Sequence, residues 1–242
     1  MKRIQAITFD LFGTIFDLKS TLIDSITMYL SLQPVSDSTP TPDNFWAIWR
    51  ERQRIEQFQD SLLMAGHSGY LETARKALLY TLRYYSISFT DSEVNTLMDK
   101  WQNLQMFPDV IAELPKLHSL YKLVVLSNGD KWFLNHLVKD CIKFEFDAVI
   151  SVDDVGFFKP HPTVYLHASK QIQIEPEYIL MVSSNRFDIT GARSAGYQAA
   201  LIDRYYLPQD ESAFQPNIIV ENFQQLSKQL AFSSDLIVDE ES

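Results

Sequence analysis

The chain contains a single cysteine, Cys141, among 242 residues. One cysteine cannot form an internal disulfide, and this composition suits a reducing compartment. Basic residues are also few, because 21 lysines and arginines stand against 31 acidic residues and give a net charge of −10. This balance argues against nucleic acid or an anionic membrane as the main partner, and an anionic ligand would need a local group of basic side chains.

Long apolar runs are missing as well. No stretch reaches the length that crosses a membrane, and Asp10 interrupts the apolar start of the chain too early for a signal peptide. We therefore expect a soluble, cytoplasmic protein. A chain of this length forms one large domain or two modest ones.

The spacing of apolar residues divides the chain into two zones. One strand is predicted over 4–9, and residues from 17 to about 105 have a helical pattern, with helix starts at Pro42, Tyr70 and the capping-box sequence from Thr90. Further strands are predicted over 123–126, 148–152, 179–182 and 198–202. Helices are predicted between and after them near 131–139, 163–172, 188–195 and 222–231.

Strands that alternate with helices through short links form a parallel sheet covered on both faces. The predicted fold class is therefore α/β, a doubly wound Rossmann-like parallel sheet with a four-helix cap domain inserted after the first strand. We place the core at 1–16 and 106–232, the cap at 17–105, and an acidic flexible tail at 233–242.

The turn after the first strand lacks a second carboxylate. Asp10 ends the strand, so its side chain is expected at the strand's C-terminal tip, where open α/β sheets place their chemistry. An aspartate that hydrolyses phosphate would need a second acid two positions later to protonate the leaving oxygen, and Phe12 cannot serve. The structural alternative is a turn or capping aspartate.

Other polar residues are predicted near the same edge of the sheet. They lie in the segments 127–129, 159–160 and 183–188, and on the helix that begins at Pro42. On that helix Arg50 shares a stripe with Trp46, Gln53 and Gln57, which could face a cleft. The alternative is a solvated arginine stacked over Trp46. The expected packing face of this helix comprises Phe45, Ile48, Trp49, Ile55, Leu62 and Leu63.

These segments resemble the haloacid dehalogenase superfamily and, within it, the L-2-haloacid dehalogenases. The matching motifs are collinear over residues 1 to about 230 and comprise Asp10-Leu11-Phe12-Gly13-Thr14, Trp49-Arg50, Leu126-Ser127-Asn128-Gly129, Lys159-Pro160 with Val164-Tyr165, and Ser183-Ser184-Asn185 through Asp188. The chain departs from the family at Phe12, where tyrosine is common, and at Phe187, where tryptophan often occurs.

The resemblance implies metal-independent hydrolysis of short L-2-haloalkanoic acids to D-2-hydroxy acids through an aspartyl ester, without a cofactor. The implied catalytic residues are Asp10, Thr14, Arg50, Ser127, Lys159, Tyr165, Ser183, Asn185 and Asp188. The implied substrate-binding residues are Leu11, Phe12, Tyr70, Asn128 and Phe187. Asp10 would be the nucleophile, and Arg50 and Asn128 would receive the halide. The implied partners are the haloacid, the halide ion and a second copy of the chain.

Most of these residues also have a plausible structural role. Lys159 could be an exposed loop lysine, Asp188 a helix N-cap, Thr14 a turn residue and Tyr165 a core tyrosine. Two other functions also stay open. One is a magnesium-dependent phosphatase of the same superfamily, and the other is a member that kept the fold without catalysis.

Overall fold

The computed structural model describes residues 2–34, 39–64, 66–208 and 211–238. They contain one parallel sheet of six strands in the order β3-β2-β1-β4-β5-β6. The strands are β1 Ala6–Phe9, β2 Lys122–Ser127, β3 Ala148–Ser151, β4 Ile179–Ser183, β5 Gln198–Ile202 and β6 Ile218–Val220. The predicted α/β fold class is confirmed. The edge strand β6 escaped prediction because its three residues give too short an apolar run to show a period.

The helices are α1 Leu18–Ser31, α2 Pro42–Leu63, α3 Tyr70–Tyr84, α4 Asp91–Asp99, α5 Leu114–His118, α6 Lys131–His136, α7 Pro162–Ile172, α8 Arg186–Ser194 and α9 Phe223–Val238. Thr41 caps α2, and Thr90 forms the predicted capping box with Glu93. The last helix ends at Val238 rather than near 231, so residues 233–238 of the predicted tail are helical and 239–242 lie outside the described residues. No helix in the described ranges combines the length and apolarity that a membrane crossing requires.

The strand order places β1 at the centre of the sheet, between β2 and β4. Asp10 follows β1 directly, Asn128 follows β2, and Asn185 lies just after β4. Because parallel strands end at the same edge of a sheet, the topology gathers these polar side chains on one edge.

Helix α2 crosses that edge, and the predicted packing face of this helix is partly wrong. Phe45 and Trp49 are buried as expected, but Leu62 and Leu63 are 81% and 75% exposed. The buried face continues instead through two glutamines, Gln53 and Gln57. The reason is that this half of the helix lies over polar strand ends, whereas its first half packs on apolar side chains.

The helical insertion docks on the core through polar contacts close to the sheet edge. The Asp130 carboxylate accepts from the backbone N–H of Tyr70 at 3.1 and 3.2 Å. His67 lies 2.9 Å from Asp153, measured from Nε2 to Oδ1. These contacts fix the start of α3, and the ring of Tyr70 stacks on Phe12 with centroids 3.9 Å apart.

Arg204, just after β5, joins three separate parts of the chain. Its guanidinium forms a bidentate pair with Asp109 at 3.0 and 3.1 Å, and its Nε donates to the carbonyl of Thr14 at 3.2 Å. The same guanidinium lies 3.7 Å from the centroid of the Phe107 ring. Asp109 also accepts from the backbone N–H of Phe223 at 2.8 Å. The pair therefore holds the turn after β1, the return from the insertion and the start of α9 together.

We expect Arg204→Met to lower the free energy of unfolding by about 2–3 kcal/mol, because it leaves a largely buried carboxylate without its cation. Urea titration followed by tryptophan fluorescence measures this change. The matched control is Lys2→Met, which removes an exposed ion pair with Glu177 and should cost less than about 1 kcal/mol. Equal losses in the two variants would contradict the assignment.

Candidate active site

The Asp10 carboxylate is buried and bound entirely by hydrogen-bond donors. Lys159 Nζ donates to its Oδ1 at 3.0 Å. The other oxygen, Oδ2, accepts from Thr14 Oγ1 at 2.9 Å, Asn185 Nδ2 at 2.8 Å and Ser183 Oγ at 3.5 Å. A turn or capping aspartate would bond to nearby backbone N–H groups instead, so that alternative is wrong. The donors fix both oxygens at the tip of β1.

Lys159 lies between two carboxylates and is only 1% exposed, so the exposed-loop alternative is wrong. Its Nζ donates to Asp10 Oδ1, to Asp188 Oδ2 at 2.7 Å and to the carbonyl of Leu126 at 2.9 Å. Burial alone would lower the pKa of Lys159, but the two carboxylates outweigh burial and raise it above its ordinary value. The ammonium is therefore held in its charged form.

Asp188 is fully buried, and its carboxylate oxygens accept from two side chains outside α8, Lys159 and Tyr165. The N-cap position of α8 belongs to Asn185, while Asp188 Oδ1 accepts from the Tyr165 hydroxyl at 2.7 Å. Burial raises the pKa of Asp188, and the charge of Lys159 opposes that rise. Burial, followed by the nearby Asp188 carboxylate, raises the pKa of Tyr165 well above its ordinary value, so the phenol stays protonated and donates. A Cβ on Gly191 would lie 2.6 Å from this hydroxyl, which explains the glycine.

The turn after β1 brings Thr14 under Asp10. The Leu11 carbonyl accepts from the N–H groups of Thr14, Ile15 and Phe16, and a positive φ of 88° at Gly13 closes the turn. Thr14 is fully buried, donates to Asp10 and accepts from the backbone N–H of Ser184 at 2.8 Å. Thr14 is thus both a turn residue and a ligand of the carboxylate.

Two residues at the end of β2 offer polar atoms at the sheet edge where Asp10 lies. The Ser127 hydroxyl is buried and has no hydrogen-bond partner within the described ranges. Asn128 accepts from the backbone N–H of Lys159 at 2.8 Å, and its Nδ2 donates to Gln57 Oε1 at 3.3 Å. A buried hydroxyl without a partner is costly, so Ser127 is suited to hydrogen-bond a bound ligand.

The face of α2 that meets the sheet edge carries Arg50. Its Nη1 donates to Gln53 Oε1 at 2.6 Å and to the Tyr70 hydroxyl at 3.3 Å, so it faces the cleft rather than solvent over Trp46. Gln57 lies on the same face, as the stripe of polar residues predicted.

Sequence reasoning missed a second arginine on this face, Arg54. Its Nη2 donates to Asn185 Oδ1 at 3.3 Å, and its guanidinium carbon lies 6.0 Å from the centroid of the Phe187 ring. That ring packs edge-on against Phe58, with centroids 5.7 Å apart. The signal was available, because Arg54 follows Arg50 by four positions and so shares its face of the helix.

Known proteins match over most of the chain. The pattern of the haloacid dehalogenase-like hydrolases matches residues 4–196. Haloacetate dehalogenase H-2 from Moraxella sp. (strain B) is 31% identical over 91% of this chain and 95% of its own length. An (S)-2-haloacid dehalogenase from Pseudomonas putida is 30% identical over 97% of this chain and all of its own length.

A solved structure agrees with the sequence matches. The L-2-haloacid dehalogenase from Xanthobacter autotrophicus superposes with a TM-score of 0.83 at 26% identity, over 94% of this chain and 98% of that one. The resemblance predicted from the motifs is confirmed, and the chain belongs to the haloacid dehalogenase-like hydrolases.

Proposed function

We propose that this protein hydrolyses the carbon–halogen bond of short 2-haloalkanoic acids, with the L enantiomer as substrate and a D-2-hydroxy acid as product. The observation that carries the proposal is the buried Asp10 carboxylate, whose oxygens accept from Lys159, Thr14 and Asn185, together with a phenylalanine in place of an acid at position 12. The same reaction is supported by relatives named as haloacid dehalogenases, which match this chain over more than nine-tenths of its length.

In the first step a carboxylate oxygen of Asp10 attacks the carbon that bears the halogen. A carbon–oxygen ester bond forms, the carbon–halogen bond breaks, and its electron pair leaves with the halide. Attack in line with the leaving group inverts the carbon, which accounts for the change from L to D. A halide ion leaves without a proton, so this reaction needs no acid at position 12 and is compatible with Phe12. Phosphate hydrolysis would need an acid there to protonate the leaving oxygen.

The residues around Asp10 divide into groups that suit the two ends of the substrate. The Ser127 hydroxyl, which has no partner among the described residues, would donate to the substrate carboxylate, with Leu11 and Phe12 forming the adjacent wall. Arg50 and Asn128 suit the departing halide, as the resemblance implies. Together with Arg50 and Asn128, the ring of Phe187 would line the halide site and form its apolar wall.

In the second step water attacks the carbonyl carbon of the ester, which releases the hydroxy acid and a proton and restores Asp10. Asp188 and Lys159 suit the positioning of this water, and Tyr165 holds Asp188 in place. Ser183 and Asn185 lie against Oδ2, where they orient the acyl group.

We further propose that the reaction needs no metal. Both oxygens of Asp10 already accept from donors, and the ammonium of Lys159 supplies a positive charge next to Oδ1.

Helices α1–α4, within the segment 17–105, would act as a cap over the site, consistent with α2 crossing the sheet edge. Assembly as a homodimer in the cytoplasm stays a prediction.

The first test is halide release from L- and D-2-chloropropionate with excess chelator present. We expect release from the L form alone, unchanged by the chelator. The isosteric variant Asp10→Asn should lose at least about a thousandfold in kcat/KM, because an amide cannot act as the nucleophile. Ion chromatography of chloride and chiral analysis of the lactate product measure both outcomes.

The matched control is Asp60→Asn, which alters a carboxylate that bonds to Ser68 within the insertion. This variant should keep its activity. The proposal fails if no haloacid releases halide, if release stops with chelator, or if phosphate esters are hydrolysed with magnesium instead.

The ester intermediate predicts where the oxygen of water goes. In a single turnover in H₂¹⁸O, with enzyme in excess, we expect the label in the Asp10 carboxylate rather than in the lactate. We also expect Asp188→Asn to slow the second step more than the first, so that intact mass spectrometry detects the enzyme carrying a 1-carboxyethyl ester on Asp10. Label that appears directly in the first lactate formed would show that water, not Asp10, displaces the halide.

A further inference from the structure

Arg54 is a cation in the cleft that the proposed reaction does not use. A guanidinium has five N–H donors, yet within the described ranges Arg54 makes one hydrogen bond, the 3.3 Å contact with Asn185. Its Nε is buried and has no partner among the described residues. No carboxylate in those residues lies within ion-pair distance of it, and besides the bond to Asn185 its guanidinium carbon lies 6.0 Å from the centroid of the Phe187 ring.

The surroundings make this arrangement unfavourable unless an anion binds. Burial, followed by the charge of Arg50, lowers the pKa of Arg54 to about 10. The Asp10 carboxylate offsets this positive charge only in part, because Asp10 and Asp188 already pair with the ammonium of Lys159. A neutral side chain could hold Asn185 as well as Arg54 does, so the spare donors and the charge need another explanation.

The position of Arg54 identifies which part of a substrate it would meet. Asn185 joins it to the nucleophile, because the same amide donates to Asp10 Oδ2 at 2.8 Å and accepts from Arg54 at 3.3 Å. The guanidinium therefore lies one amide group from the carboxylate that attacks the carbon. The ring of Phe187 lies on another side of the guanidinium, 6.0 Å from its carbon to the ring centroid, and packs in turn against Phe58.

Resting on the proposed dehalogenation, we propose that Arg54 binds a second carboxylate on the substrate, so that the preferred class is the 2-halodicarboxylic acids of four carbons. In 2-chlorosuccinate a single methylene separates the reacting carbon from the second carboxylate, a reach that matches the short link through Asn185. A guanidinium fork binds a carboxylate through two parallel hydrogen bonds. The reaction balances as before, since 2-chlorosuccinate and water give malate, chloride and a proton.

The test compares 2-chlorosuccinate with 2-chlorobutyrate, which has a methyl group in place of the second carboxylate. We expect the unaltered protein to have the higher kcat/KM for the diacid. Arg54→Met, which keeps the length and removes the charge, should lower the ratio of the two kcat/KM values at least about tenfold. Arg54→Lys should retain part of the preference. The control Arg52→Met alters an arginine that bonds to Glu56, and it should leave the ratio unchanged.

Binding of succinate and of butyrate, measured by isothermal titration calorimetry, tests the site without turnover. Succinate should bind more tightly than butyrate, and Arg54→Met should abolish that difference. The contrary result is that Arg54→Met lowers kcat/KM equally for both substrates and the affinity equally for both ligands. In that case Arg54 binds the halide or the first carboxylate, and this proposal is wrong, while the proposed dehalogenation stands. If no haloacid releases halide, the proposed function is wrong, and the calorimetric comparison still decides whether Arg54 binds a second carboxylate.

Discussion

One buried ammonium shared by two carboxylates is the interaction on which the site depends. Lys159 Nζ lies 3.0 Å from Asp10 and 2.7 Å from Asp188, with both acids buried. Two carboxylates this close would repel each other in a medium that screens charge poorly, and neither could be buried without the cation between them. The Leu126 carbonyl and the Tyr165 hydroxyl complete the network, so the position of Asp10 is set by groups from four parts of the chain.

The sheet topology makes this arrangement possible. Asp10 follows the central strand β1, and its partners come from the turn after β1, from the loop that follows the edge strand β3 and from the end of β4. A parallel sheet brings such residues together although 149 positions separate Lys159 from Asp10 in the chain. The helical insertion then supplies what the core lacks, the arginines and glutamines of α2, which meet the strand ends through contacts such as Gln57 with Asn128.

Sequence reasoning found the parallel sheet and the residues around Asp10, because both leave strong local patterns. Apolar runs that end in polar residues mark strand tips, and Asp10, Ser127 and Ser183 lie in motifs of that kind. Strand β6 was missed because three residues are too few to show an alternation of apolar and polar positions. The buried face of α2 was predicted wrongly because the spacing of apolar residues identifies the packing face only where the helix packs on apolar side chains. Arg54 was missed for a different reason. A family motif draws attention to the positions it contains, so the spacing that places Arg54 on the same helix face as Arg50 was overlooked, and the contact with Asn185 shows that Arg54 reaches the site.

The charges of the cleft explain how an acidic protein could hold an anionic substrate. The whole chain carries a net charge of −10, yet three cations, Arg50, Arg54 and Lys159, lie in the cleft around the buried carboxylates of Asp10 and Asp188. Two of these three cations lie on α2, while both carboxylates belong to the core. An anion bound between them would be attracted by the insertion and would relieve the repulsion between the two arginines. On the proposed function, substrate binding and closure of the insertion would therefore favour each other, because the substrate supplies the negative charge that α2 lacks.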